Sequence, residues 1–169
     1  LSANIRAMID NVATVIAENT PRYLAIAAQF AIMMISMRVT EGRDLRGNAF
    51  IPHSTRSRNI GSDYVSKSGY YTGGYAEYKR TLGQADQFLR LSGQMMNDLV
   101  LREVSDTCVA VLFATAESAK KATENNRTRW FLGLTEDEVD RIIAHVVELM
   151  LSELSSLIVP INEQLEMEL

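Results

Sequence analysis

Leu99-Val100-Leu101-Arg102-Glu103-Val104-Ser105-Asp106-Thr107-Cys108-Val109-Ala110-Val111-Leu112-Phe113-Ala114-Thr115 is the stretch on which the fold class turns. Two runs rich in β-branched and apolar residues, Leu99–Val104 and Thr107–Thr115, flank the polar pair Ser105-Asp106, which is the pattern of a hairpin. Around it the chain reads mostly as helix. The expectation is an α+β fold with long N-terminal helices, a small antiparallel sheet, an extended loop and a C-terminal amphipathic helix.

Downstream of the hairpin, Glu117–Asn126 is polar and reads as helix or loop, and Arg127–Leu132 reads as a third short strand. The final helix carries the strongest local signals. Thr135 stands three residues before Glu138, as in a capping box, with Leu134 and Val139 at the hydrophobic-staple positions. Glu136, Asp137 and Glu138 occupy the first turn, where the helix dipole favours negative charge. Val139, Ile142, Ile143, Val146, Met150, Leu154 and Leu157 then recur at spacings of one helical face, and Pro160 is expected to end the helix.

Upstream, a short helix is expected over Ser92–Asp98. Ser2–Glu18 places Ile5, Met8, Ile9, Val12, Val15 and Ile16 on one face of a first helix. Thr20-Pro21 reads as a cap and first turn, so a second helix is expected over Pro21–Val39, stopped near Gly42. That second helix is apolar on most of its circumference and has to be covered on more than one side. Its apolar run, Leu24–Met37, contains Gln29 and falls short of the about 20 residues that span a bilayer, so no membrane association is expected.

Length and composition agree with one domain: 169 residues, 47% of them apolar, can bury a core without disulfides or metal. It divides into N-terminal helices (1–41), a long interaction loop (42–83), a short helix with the small sheet (84–134), and the C-terminal helix and tail (135–169). Cys108 has no second cysteine to pair with, and its apolar surroundings in sequence suggest a buried, inert thiol. The formal net charge of −4 is unevenly spread. Gly42–Arg80 holds seven basic residues against three acidic ones, whereas Phe131 to the end holds nine acidic residues and only Arg141 as a base. Such a chain can present complementary surfaces to copies of itself.

The 42–83 segment is rich in Gly, Ser, Thr, Asn, Arg and Tyr and lacks periodicity. Five of the six tyrosines lie in it: Tyr64, Tyr70, Tyr71, Tyr75 and Tyr78. Tyr and Arg are enriched at interface hot spots, which makes Arg43, Arg46, Phe50, Arg56, Arg58 and those five tyrosines the candidate interface residues. The same mixture suits phosphate pairing and base stacking, so nucleic-acid binding is the alternative.

Enzymatic constellations are missing from the sequence. His53 and His145 have no partner at metal-ligand spacing, and a Cys108–His145 pair is not required by anything in the chain. No nucleophile elbow occurs. The glycines of Gly69-Tyr70-Tyr71-Thr72-Gly73-Gly74 lack both a preceding strand pattern and a phosphate-loop Lys. Helix capping accounts for Glu136, Asp137, Glu138 and Asp140 without a cation. No catalytic residue, metal or cofactor is expected.

Three segments carry a resemblance. Gly47-Asn48-Ala49-Phe50-Ile51-Pro52-His53-Ser54, Leu89-Arg90-Leu91-Ser92-Gly93-Gln94-Met95-Met96-Asn97-Asp98-Leu99 and Arg129-Trp130-Phe131-Leu132-Gly133-Leu134-Thr135-Glu136-Asp137-Glu138 occur in that order. Together they resemble the bacteriophage virion-morphogenesis and tail-completion proteins of the head–tail neck. Pro52, Ser54, Gly93, Met95, Phe131, Leu132, Gly133 and Leu134 stand at the matching positions; Trp130 replaces the family's usual Pro, and Lys120–Asn126 replaces a His/Gly-rich segment. The resemblance implies a virion protein at the head–tail junction, assembled in the host cytoplasm into a homo-oligomeric ring, sixfold by analogy. Its partners would be adjacent neck, connector or tail-tube proteins. Genome DNA would pass through the lumen without sequence-specific binding.

Overall fold

The computed structural model describes residues 3–61, 67–89 and 93–167. The elements, in chain order, are α1 (Ala3–Thr40), β1 (Arg58–Ile60), β2 (Gly69–Tyr71), α2 (Gly74–Thr81), α3 (Gln94–Asn97), β3 (Leu99–Ser105), β4 (Cys108–Phe113), α4 (Ala116–Arg129) and α5 (Glu136–Met167). The fold is α+β: five helices with two small antiparallel two-stranded sheets, β1–β2 and β3–β4. The β3–β4 hairpin lies where the opening stretch put it, with Asp106 and Thr107 between the strands and the Thr107 N–H donating to Ser105 Oγ at 3.3 Å.

Four local expectations need correction. The N-terminal pair is a single helix, with Pro21 inside it. Proline there forfeits one helical hydrogen bond and costs about 3 kcal/mol in an unsupported helix. The carbonyl left without its helical donor is that of Ala17; the neighbouring side chains bond one and two residues earlier, Asn19 Nδ2 donating to Val15 O (2.8 Å) and Thr20 Oγ1 to Ile16 O (2.9 Å). Because α1 is continuous, its Ile9–Thr40 portion is long and apolar enough to cross a membrane by length and composition. Yet Tyr23, Ala28, Ala31, Ile35, Val39 and the charged Arg38 are all buried within the protein. Arg127–Leu132 is not a strand: α4 runs to Arg129, and Asn126 ties off its end, its backbone carbonyl accepting from the Trp130 N–H and its Oδ1 from the Leu132 N–H, both at 2.9 Å. Finally, α5 continues past Pro160 to Met167, and Cys108 is exposed rather than buried, at the start of β4.

The chain divides into two compact units. The first comprises residues 1–31, 101–111 and 136–169. In it Tyr23 Oη donates to Glu153 Oε2 at 2.6 Å, and Arg22 forms an ion pair with the same carboxylate. About two turns further along α1, the Phe30 ring lies 4.3 Å from that of His145. Moving forward along α1 therefore moves backward along α5, so the two helices run antiparallel, with Tyr23, Ala28, Ala31 and Ile142 buried. Both hydrogen bonds hold the Glu153 carboxyl below its ordinary range, Arg22 contributing first and Tyr23 second.

The second unit comprises residues 32–100 and 112–135. Its core is Ile35, Val39, Phe50, Tyr78, Met95, Leu99, Ala122 and Phe131. Arg38, buried near the end of α1, donates from Nη1 to the carbonyls of Phe131 (2.8 Å) and Gly133 (3.1 Å). Asp98, at the foot of the hairpin, accepts from Thr115 Oγ1 (2.7 Å) and Ser118 Oγ (2.5 Å). Thr115 also caps α4 by accepting from the Ser118 N–H. These hydroxyl donors, Ser118 first, hold the Asp98 carboxyl low.

Candidate interaction site

The 42–83 segment, expected as one extended loop, builds β1, β2 and α2 and closes on itself. Its first part is a tight loop organised by Asp44, whose Oδ1 accepts from the backbone N–H groups of Arg46 (2.9 Å) and Asn48 (2.8 Å). Desolvation opposes the charge on Asp44, but the Asn48 and Arg46 bonds prevail and its carboxyl sits below the ordinary value. Arg43 bridges to Ala49 across this loop, and the Phe50 N–H reaches Gly42 O at 2.7 Å. Further along, β1 and β2 pair Arg58 with Tyr71, Asn59 with Tyr70 and Ile60 with Gly69. Gly74 opens α2 at φ +64°, where a Cβ would stand 2.3 Å from the Arg56 carbonyl oxygen. Only glycine allows that approach.

The aromatic residues of this segment make ring contacts in an unbroken series. Phe50 meets Phe88 (5.6 Å between centroids), Phe88 stacks on His53 (4.9 Å), and His53 meets Tyr75 edge-on (5.2 Å). Tyr75 then meets Tyr78 (5.7 Å), and Tyr78 meets Tyr71 (5.3 Å). Phe50 and Tyr78 are buried, and Tyr71 and Tyr75 are half-buried. These four candidate interface residues are therefore core or core-edge groups. Of the tyrosines, Tyr70 is the one with an exposed ring, at 64%; Tyr64 lies outside the described residues. Arg43, Arg46, Arg56 and Arg58 are exposed.

Cations also lie under the aromatic series. Lys79 is buried, its Nζ donates to Gln84 Oε1 at 2.8 Å, and burial pushes it down to about 8. His53 is pushed below its ordinary 6.5 by burial first, then by the Arg129 and Lys79 charges. Burial raises the phenols of Tyr75 and Tyr78 and lowers Arg129. Three buried polar atoms here, His53 Nε2, Tyr78 Oη and Arg129 Nε, have no hydrogen-bond partner. Each such atom costs on the order of 1–3 kcal/mol.

The residues that carried the resemblance are partly structural. Gly93 and Met95 are buried around the start of α3, and Phe131 is fully buried. Leu132 and Leu134 are half-buried, while Pro52 and Ser54 are exposed, the Ser54 carbonyl accepting from the Ala76 N–H at 3.0 Å. Gly133 adopts φ +119°, and a Cβ there would meet the Leu45 side chain at 3.3 Å.

Sequence reasoning missed two surfaces. One centres on Trp130, which is 42% exposed at φ +26°, a conformation that L side chains seldom adopt. The Arg46 guanidinium lies 4.4 Å above its ring, and the Leu45 N–H bonds its carbonyl at 2.9 Å. Arg129 Nη2 reaches the carbonyl of Ile51, whose side chain is 62% exposed, at 3.4 Å. The second surface is on α5, where Val139, Ile143, Val147 and Leu151 are all exposed. Its signal was present: these residues repeat every four positions alongside the inward row Ile142, Val146, Met150 and Leu154, making the apolar face twice the width of one contact.

Among the described residues, no three His, Cys, Asp or Glu side chains gather as a metal site would need. No protein-family model, curated protein or solved structure matches this chain.

Proposed function

We propose that the chain is a structural protein of a tailed-phage virion, forming a homo-oligomeric ring at the head–tail junction that joins or closes the tail. The observation that supports this reading is that the first and third resembling segments meet in the second unit, to which the described residues of the second segment also belong. They are far apart in sequence, yet Gly47–Ser54, the described residues of Leu89–Leu99 and the greater part of Arg129–Glu138, as far as Thr135, belong to the second unit; Glu136, Asp137 and Glu138 belong to the first. The first and third also touch, through Arg129 and the Ile51 carbonyl, with Leu45 bonded to Trp130 beside them. A unit whose exposed groups include Arg46, Trp130 and Ile51 together suits recognition between proteins. The test is electron microscopy of lysates from a phage whose copy of this gene carries an early stop codon. Filled heads beside unattached tails, or tails of abnormal length, are expected; normal infectious particles would overturn the proposal.

One observation favours a second reading, a nucleic-acid-binding module: Arg56, Arg58, Lys67, Arg80 and Tyr70 are all exposed. That reading requires DNA affinity that falls steeply as salt rises. No binding at low salt would end it.

A further inference from the structure

The α5 stripe is apolar and bordered by acid. Asp140 and Glu148, both exposed, each stand one residue after one stripe member and three before the next, so they line the stripe's solvent side. From Val139 to Leu151 the stripe is about 18 Å long. The Trp130 surface is its counterpart, with exposed apolar groups at Trp130 and Ile51 and the Arg46 guanidinium over the Trp130 ring; Arg43 on the same loop is ion-paired with Glu41. One chain thus carries both an acid-edged apolar ridge and a base-edged apolar patch.

We infer that the α5 stripe of one copy seats on the Trp130–Ile51–Arg46 patch of a second copy. This rests on the reading above that copies assemble, and adds which surfaces meet and that they differ. A contact between unlike surfaces runs head to tail and closes into a ring or extends as a filament, rather than stopping at a two-fold dimer. A stripe of this length falls short of the roughly 800 Å² per partner of a standard stable interface. Single pairs are therefore weak, and a closed ring is held because each copy makes the contact twice.

The test uses two variants of the full chain, one with the stripe broken (Ile143→Asp with Val147→Asp) and one with the patch broken (Arg46→Glu with Trp130→Ala). Sedimentation velocity over a range of concentrations reads assembly, and thermal melts check folding. Wild type is expected to associate beyond dimers as concentration rises, and each variant alone to stay monomeric. An equal mixture of the two is expected to form dimers and nothing larger, because one intact stripe then faces one intact patch. If the double Asp variant does not fold, Leu151→Asp at the far end of the stripe takes its place. Association of the patch variant by itself would show stripe meeting stripe and overturn the inference, as would a monomeric wild type or a mixture that is still monomeric at the highest concentration, where a weak single contact has to populate dimers. A monomeric wild type beside defective stop-codon particles would sink this contact and leave the neck reading standing. An assembling wild type beside normal stop-codon particles would do the reverse.

Discussion

The 42–83 segment and helix α5 have exchanged the roles that composition suggests for them. The segment is polar, glycine-rich and without periodicity, yet it turns Phe50, Tyr71, Tyr75 and Tyr78 inward to build part of a core. Helix α5 has the periodicity of a core helix, yet leaves Val139, Ile143, Val147 and Leu151 in solvent. Tyrosine can do the first because its ring buries like phenylalanine's while its hydroxyl tolerates an edge position. A helix does the second whenever its apolar face is wider than the one neighbour that covers it. Residue type alone therefore does not distinguish interior from interface in this molecule.

The largest expected effects lie in the core that the supposed loop joins. Tyr78→Ala or Phe131→Ala removes a fully buried ring and should cost about 3–5 kcal/mol in urea unfolding. A cost under about 1 kcal/mol for Tyr78→Ala would mean that the segment is not part of the core. Arg38→Ala removes charged donors from the Phe131 and Gly133 carbonyls and should cost about 2–4 kcal/mol, read the same way.

Protonation gives a finer probe of the same core. Lys79 has a folded value of about 8 against an ordinary 10.5, so between these the unfolded chain binds more protons and stability rises with pH. His53 is depressed as well, so its contribution is complete above 6.5 and is lost as pH falls through its folded value. Lys79→Met should flatten the rise above pH 8, and His53→Phe the fall below 6.5, in unfolding midpoints measured across pH. Unchanged slopes would place both groups in solvent.

Two further changes should have the smallest effects. Tyr78→Phe removes a buried hydroxyl that has no partner, so stability should hold or rise by up to about 1 kcal/mol. A loss would reveal a partner for it. Ile143→Asp, on the exposed stripe, should change stability by no more than about 0.5 kcal/mol, sharpening the contrast with Phe131→Ala.

Sequence alone determined what is encoded over a few residues. The β3–β4 hairpin, the short helix after Gly93 and the start of α5 just after Thr135 lie within a residue or two of their expected places. Turn chemistry, β-branched runs and dipole-matched charges act locally and leave their mark in consecutive positions. Tertiary structure decided the rest. Pro21 stays inside α1 although it forfeits the bond to the Ala17 carbonyl, and residues later in the same helix are buried. Packing likewise turned the tyrosines inward, joined Arg46 to Trp130 across more than eighty residues, and covered one row of α5 while leaving the next bare. Each of these depends on which distant segment arrives as a neighbour, and burial is a property of neighbours rather than of the residue itself.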